Sequence, residues 1–255
     1  MRILCIGDVV GSAGCEFLLS ELPKLRRFYN ADFTAVNGEN SNNQNGITPK
    51  SADIIFSAGA DVITTGNHVF KKREIYDYLD ENPYILRPAN YPDSTPGRGF
   101  CTVDKGRYDV CVINLMGVVF MENLANPFRY IDSLLNGIKA KVVLVDFHAE
   151  ATSEKIALAS YIDGRVSAVV GTHTHVQTAD ERLLPKGTAF ITDLGMTGPK
   201  NSSLGLCIEP IIQKFINYMP VRYSVADGAC ILCGVCIEID EKTGKALSIE
   251  RIQIE

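Results

Sequence analysis

The stretch "VSAVVGTHTHVQTAD" (166–180) decides how the rest of the chain reads. It opens as an apolar run rich in Val, which suits a strand buried on both faces. It then turns polar at once, with His173 and His175 one residue apart. The chain has only 4 histidines in 255 residues. Half of a scarce residue directly behind a buried strand points to a site at that strand's carboxyl end. On an extended backbone, residues i and i+2 point the same way. On a helix they would diverge by roughly 200°. The spacing therefore predicts an extended His-x-His pair.

Working outward, similar apolar runs recur as "RILCI" (2–6), "FTAV" (33–36), "DVITT" (61–65), "KVVLV" (141–145) and "TAFIT" (188–192). Between them lie segments with helical periodicity: "CEFLLSELPKLRRFY" (15–29), "KSADIIFSAGA" (50–60), "KREIYDYLDEN" (72–82), "PFRYIDSLLNGI" (127–138) and "TSEKIALASYIDG" (152–164). In the first, Phe17, Leu18, Leu22, Leu25 and Phe28 form an apolar stripe, and Pro23 is expected to kink or break it. Gly59 reads as a C-cap of the second, and Thr152 or Ser153 as the N-cap of the last. Two segments depart from this alternation and read as hairpins, turning at Lys105-Gly106 and Thr243-Gly244. The fold class is α/β with mainly buried strands and some antiparallel pairing. The pattern leaves open whether the strands form one sheet or two. No repeat or linker interrupts the chain, which reads as a single domain over 1–255.

Composition narrows the function classes. The net charge is −5, so no extended nucleic-acid surface is expected. No run approaches the ~20 apolar residues of a spanning helix. "MRILCIGDVVG" is too short in its apolar part for a signal peptide. The expected location is cytoplasmic, where the 8 cysteines are thiols or metal ligands rather than bridges. "CILCGVC" (230–236) has part of an iron–sulfur spacing. It lies in a strand-like run, however, and no fourth Cys follows nearby. Buried small apolar side chains are the simpler role.

The residues that follow each buried run carry the chemistry. After "RILCI" comes Asp8; after "FTAV", Glu39 and Asn40; after "DVITT", Asn67 and His68; after "KVVLV", His148; after "VSAVV", His173 and His175. Alone, each has an ordinary explanation as a cap, turn or surface residue. Together they account for every histidine. Asp8, Glu39, Asn40, Asn67, His148, His173 and His175 offer oxygen and nitrogen donors without thiolate, a set suited to Mn, Fe, Zn or Co. They are too many for one tetrahedral zinc and suit two ions bridged by Glu39 or Asp8. Two ions about 3.5–4 Å apart clamp the oxygens of an in-line phosphoryl displacement and hold the attacking hydroxide. His68 directly follows a donor and suits general acid work.

The order Asp…Gly-Glu-Asn…Gly-Asn-His…His…Gly-Thr-His-Thr-His resembles the calcineurin-like metallophosphoesterases. The strings "GDVVG", "NGEN", "TTGNH", "RPANYP", "GTHTHVQTAD" and "TDLGMTGP" are similar to the YmdB-like branch of that superfamily, from Met1 to the C-terminal hairpin. The superfamily's usual Asp-x-His is absent, since Val10 stands at the His position, and Glu39 replaces a bridging Asp; the branch shows both changes. The resemblance implies a β-sandwich flanked by helices in α/β/β/α layers, with the metal site at strand carboxyl ends. It implies one ion held by Asp8, Glu39, Asn40 and His175, and a second held by Glu39, Asn67, His148 and His173. His68 would protonate the leaving oxygen. It further implies iron or manganese, phosphodiesterase activity on cyclic nucleotides (2′,3′ or 3′,5′), and a homo-oligomer. Arg87, Asn90 and the 41–46 loop are candidates for lining the pocket. Two other readings compete: another metal-dependent hydrolase, such as an amidohydrolase, and a metal-binding regulatory protein with weak phosphoesterase activity. "GDVVGSAG" hints at a phosphate loop, but no Gly-Lys-Ser/Thr follows.

Overall fold

The computed structural model describes residues 1–255. The amino-terminal half runs β1 (Arg2–Ile6), β2 (Asp8–Val9), α1 (Gly11–Tyr29), β3 (Phe33–Asn37), α2 (Pro49–Ala58), β4 (Val62–Thr64), α3 (Ile75–Glu81), β5 (Phe100–Asp104) and β6 (Asp109–Met116). The remainder runs α4 (Pro127–Gly137), β7 (Val142–His148), α5 (Thr152–Tyr161), β8 (Ala168–Thr172), β9 (Arg182–Leu183), β10 (Ala189–Ile191), β11 (Met196–Pro199), α6 (Ile208–Asn217), β12 (Cys230–Ile239) and β13 (Ala246–Ile254).

The strands form two sheets. The 7-stranded sheet has the order β2-β11-β12-β1-β3-β4, with β13 also paired to β12. The 6-stranded sheet has the order β5-β6-β7-β8-β10-β9. Parallel pairing links β1, β3 and β4 in one and β6, β7, β8 and β10 in the other. Both expected hairpins are present as β5/β6 and β12/β13. Gly106 and Gly244 sit at their turns with φ of +79° and +75°, a conformation that glycine adopts without a Cβ clash.

Strand alternation explains the layers. Ile3 and Cys5 of β1 pack with Val142 and Leu144 of β7 in the core between the sheets. Leu4 and Ile6 face the other way, onto Leu18 and Leu22 of α1 and Ile55 of α2. Val143, Val145 and Phe147 of β7 likewise meet Ile131 of α4 and Leu158 of α5. The result is α/β/β/α, as the resemblance implied, and the question of one sheet or two is settled by the mixed core. Within the cysteine run, Cys236 packs in the α1/α2 core and Cys233 packs with Val10, Met196 and Ile231. Burial pushes both thiols up to about 11.

Several local expectations need correction. Pro23 neither breaks nor ends α1, which starts at Gly11 and runs through it. The lost backbone hydrogen bond costs about 3 kcal/mol, and burial of Leu18, Leu22 and Leu25 offsets it. Phe28 lies off the buried stripe, 76% exposed. The cap of α5 is Ala151, with no side-chain bond from Thr152 or Ser153. α3 is confined to Ile75–Glu81. Gly59 does cap α2 in the left-handed region, and Thr48 with Ser51 closes the other end as a capping box. Helix α6 had no sequence assignment; none of its side chains is buried, and Ile212, Phe215 and Ile216 are exposed. No helix is long and apolar enough to cross a membrane.

Candidate metal centre

The carboxyl ends of β1, β3, β4, β7 and β8 converge at one edge of the sandwich, and Asp146 ties the two sheets there. It is a buried acid inside an apolar strand. Asn37 Nδ2 donates to Asp146 Oδ2 at 3.0 Å and Thr64 Oγ1 donates to the same oxygen. Thr172 Oγ1 donates to Asp146 Oδ1 at 2.7 Å. Burial pushes the Asp146 carboxyl up, and these donors together with His148 only partly counter it. Because the Thr172 hydroxyl spends its proton on Asp146, its oxygen accepts from His148 Nδ1 at 2.8 Å. That fixes which nitrogen of His148 faces the site: Nε2.

His148 Nε2 then meets an unusual set of neighbours. Glu39 Oε1 lies 3.1 Å away, Asn67 Oδ1 3.2 Å and His173 Nδ1 3.0 Å. All four are natural electron-pair donors. Glu39, His148 and His173 have ligand atoms within 4.8 Å of one another. Beside this group, His175 Nδ1 donates to Leu204 O at 2.9 Å, which leaves His175 Nε2 as a lone pair 3.7 Å from Asp8 Oδ1. The Asn40 amide is 3.1 Å from the same nitrogen. The buried oxygens Asp8 Oδ1 and Glu39 Oε1 have no hydrogen-bond partner. Buried acceptors without donors are costly, and convergence of such acceptors is what a cation relieves. The residues present therefore fit metal ions.

Charge perturbations agree with this geometry. Burial pushes the Asp8 carboxyl up to about 6, against the pull of His175 and His148. Burial opposes ionisation of Glu39 too, but His148 and His68 outweigh it and hold this carboxyl far below the usual range. For His148, burial disfavours the charged ring while Glu39 and Asp8 favour it, raising it to about 9. His173 is lowered to about 3 by burial and by the neighbouring His148.

The His-x-His pair is not extended. β8 ends at Thr172, and His173 and His175 have φ of +104° and +64°. Positive φ is uncommon outside glycine and concentrates at functional sites. The turn is held by carboxylates, with His173 N donating to Asp8 Oδ2 at 3.2 Å and Thr174 N to Asp193 Oδ2 at 3.1 Å. It sends the two imidazoles to different neighbours: His173 to His148, His175 to Asp8. Asp193, itself paired with the buried Lys155 at 2.7 Å, escaped the sequence reading. Its signal was an Asp directly after the run 188–192, the same signal used for Asp8.

His68 stands at the pocket wall. Its Nδ1 is 2.8 Å from Asn40 Oδ1 and 3.1 Å from Glu39 Oε1, and its backbone N donates to Glu39 Oε2 at 3.2 Å. The pocket has a volume of about 310 Å³ and is lined by His68, Asn40, Asn45, His173 and His175 among others. Thus Asn45 of the 41–46 loop does line it. Arg87 and Asn90 do not. Asn90 instead braces backbone, donating to Met116 O at 2.9 Å and Ala125 O at 3.0 Å. A Cβ on Gly66 would run into the Glu39 carboxylate and the His148 ring, so this position needs glycine for close approach.

Residues 4–252 match the family described as YmdB-like protein. The chain belongs to that family. A 2′,3′-cyclic-nucleotide 2′-phosphodiesterase of Bacillus subtilis (strain 168) is 51% identical to this YmdB-like chain, covering 100% of it and 97% of the relative. A phosphatase of Mycoplasma pneumoniae with a crystal structure is 34% identical, with a TM-score of 0.94 over 100% of this chain and 93% of that one. A hypothetical protein from Thermus thermophilus is 40% identical, with a TM-score of 0.95 over 100% and 99% of the two chains. The NAD nucleotidase of Haemophilus influenzae, 14% identical with a TM-score of 0.63, shares the fold over 99% of this chain and 55% of its own. The YmdB-like chain is thus a metallophosphoesterase.

Proposed function

We propose that this enzyme hydrolyses cyclic nucleotides, 2′,3′ or 3′,5′, at a centre of two metal ions, iron or manganese. The observation that carries the reading is the meeting of His148 Nε2, Glu39 Oε1, Asn67 Oδ1 and His173 Nδ1 beside the separate pair of Asp8 Oδ1 and His175 Nε2. Glu39, Asn67, His148 and His173 would hold one ion, and Asp8, Glu39, Asn40 and His175 the other, with Glu39 shared. Oxygen and imidazole donors without thiolate suit iron and manganese. When bound, the ions would supply Lewis acidity toward the phosphoryl oxygens and lower the pKa of the attacking water.

The chain's own residues do the rest. The leaving ribose oxygen takes a proton from His68, whose Nε2 has no protein partner at the pocket wall. Asn40 sets that proton's position. Its oxygen now faces His68; as a metal ligand it must turn toward His175. Its NH2 would then donate to His68 Nδ1, which places the ring's proton on Nε2, where general acid catalysis needs it. Asp146 and Thr172 keep His148 in the tautomer that presents Nε2. The pocket volume of about 310 Å³ suits one small ligand. A turnover screen over 2′,3′-cyclic AMP, 3′,5′-cyclic AMP and a generic phosphodiester tests the reading. Cyclic-nucleotide hydrolysis abolished by chelator and restored by Mn or Fe is expected; turnover of the generic diester alone would reject the cyclic-nucleotide assignment.

The donors come from both sheets and from positions 8 to 175, which supports one catalytic unit spanning 1–255. All eight cysteines are free thiols, which supports a cytoplasmic location. A homo-oligomer is supported by α6, where exposed Ile212, Phe215 and Ile216 continue into Tyr218 and Met219, 89% and 64% exposed. Bare apolar patches of this kind are uncommon on monomers. Sedimentation of the wild type and Phe215→Asp tests this: assembly lost in the variant supports a second copy on α6, and a monomeric wild type refutes it.

A further inference from the structure

A second cavity, of about 480 Å³, lies between the 83–102 segment and α4 and shares no lining residue with the metal-site pocket. Arg87 is at its wall and is only 5% exposed. Its Nη1 donates to Pro88 O at 2.9 Å and Ala89 O at 3.2 Å. Its Nε is buried and has no hydrogen-bond partner, and Nη2 makes no hydrogen bond within the protein. No carboxylate forms an ion pair with it; Asp93 acts only from a distance. A buried guanidinium without a counter-ion is expensive. That leaves Nη2 as the guanidinium's free donor for a carboxylate or phosphate oxygen at the cavity wall. Arg98 adds a second cation, against a single acid, Asp93. Tyr84 and Phe100, each 42% exposed, and Tyr130 supply aromatic walls.

We propose that this cavity is a second small-molecule site, which takes an oxyanion carried on a ring. Arg87 grips the carboxylate or phosphate, Arg98 attracts it, and the three aromatic side chains hold the ring. This inference does not depend on the reading of the metal centre, because the two pockets are lined by different residues.

Calorimetric titration of the metal-loaded protein tests it, with benzoate, phenylphosphonate and inorganic phosphate as probes; the binding counted is that in excess of what Arg87→Met or Arg87→Lys retains, because phosphate and phosphonate also meet the metal centre. Saturable binding of one ring-bearing probe per chain is expected, about tenfold weaker for Arg98→Ala and lost for Arg87→Met. Arg87→Lys keeps the charge without the planar guanidinium and is expected to weaken binding as well, which covers the case where Arg87→Met fails to fold. Inorganic phosphate is expected to bind at least about fivefold more weakly than the better ring-bearing probe. A preference for benzoate identifies a carboxylate ligand and a preference for phenylphosphonate a phosphate ligand; either supports the site. Phosphodiester turnover is expected to be unchanged in Arg98→Ala. No Arg87-dependent binding up to about 10 mM, equal binding in wild type and Arg98→Ala, or Arg87-dependent phosphate binding as tight as that of the ring-bearing probes would each overturn the proposal.

Discussion

His148 Nε2 and Glu39 Oε1 lie 3.1 Å apart, with both side chains fully buried. Without metal this is an ion pair, and it makes the metal-free protein sensitive to alkali. The His148 ring is raised to about 9 from its ordinary value of 6.5. A raised folded-state value means the stabilisation is fully present below about pH 6.5 and is lost as pH climbs through 9. The loss is up to about 3 kcal/mol. Thermal melts of chelator-treated protein between pH 6.5 and 9 should show this decline, with a smaller slope in His148→Gln. Protein reconstituted with Mn should lack it, because the ion replaces the proton. Equal slopes in all three would break the link between this pair and the metal.

His68→Ala separates acid catalysis from metal binding. Its ring touches Asn40 and Glu39 but is assigned no ion. The variant should keep its metal content and lose about 10²–10⁴-fold in turnover of cyclic nucleotides. An activated ester with a good leaving group should suffer less. Wild-type rates on both substrates would remove His68 from the mechanism.

Thr172→Val probes the support of His148. Removing the hydroxyl leaves Asp146 Oδ1 and His148 Nδ1 without their shared partner. The expected cost is about 1–3 kcal/mol in stability and about 10–100-fold in metal affinity. Thr172→Ser should restore both. Metal affinity unchanged in Thr172→Val would show that the hydroxyl only fills space.

The strand ends were legible because burial and chemistry alternate so sharply along the chain. Val36 to Glu39 and Val170 to His173 pass from core to donor within three residues. The pairing into two sheets was not legible, since a strand buried between helix and sheet carries the same apolar pattern as one buried between two helix layers. The conformation of His-x-His was misread for a physical reason. The carboxylates that hold the turn, Asp8 and Asp193, lie 165 and 19 residues away in sequence. Asp146 was not singled out, because its role depends on Asn37, Thr64 and Thr172 from three other places. Arg87 was placed near the pocket by its motif, and only the fold shows that it opens into a different cavity.

The central claim is a pair of ions, and counting them tests it most directly. Elemental analysis of protein reconstituted with Mn or Fe should return two ions per chain, with Asp8→Ala and His148→Ala each losing at least one. One ion or fewer per chain in the fully reconstituted wild type would contradict the account.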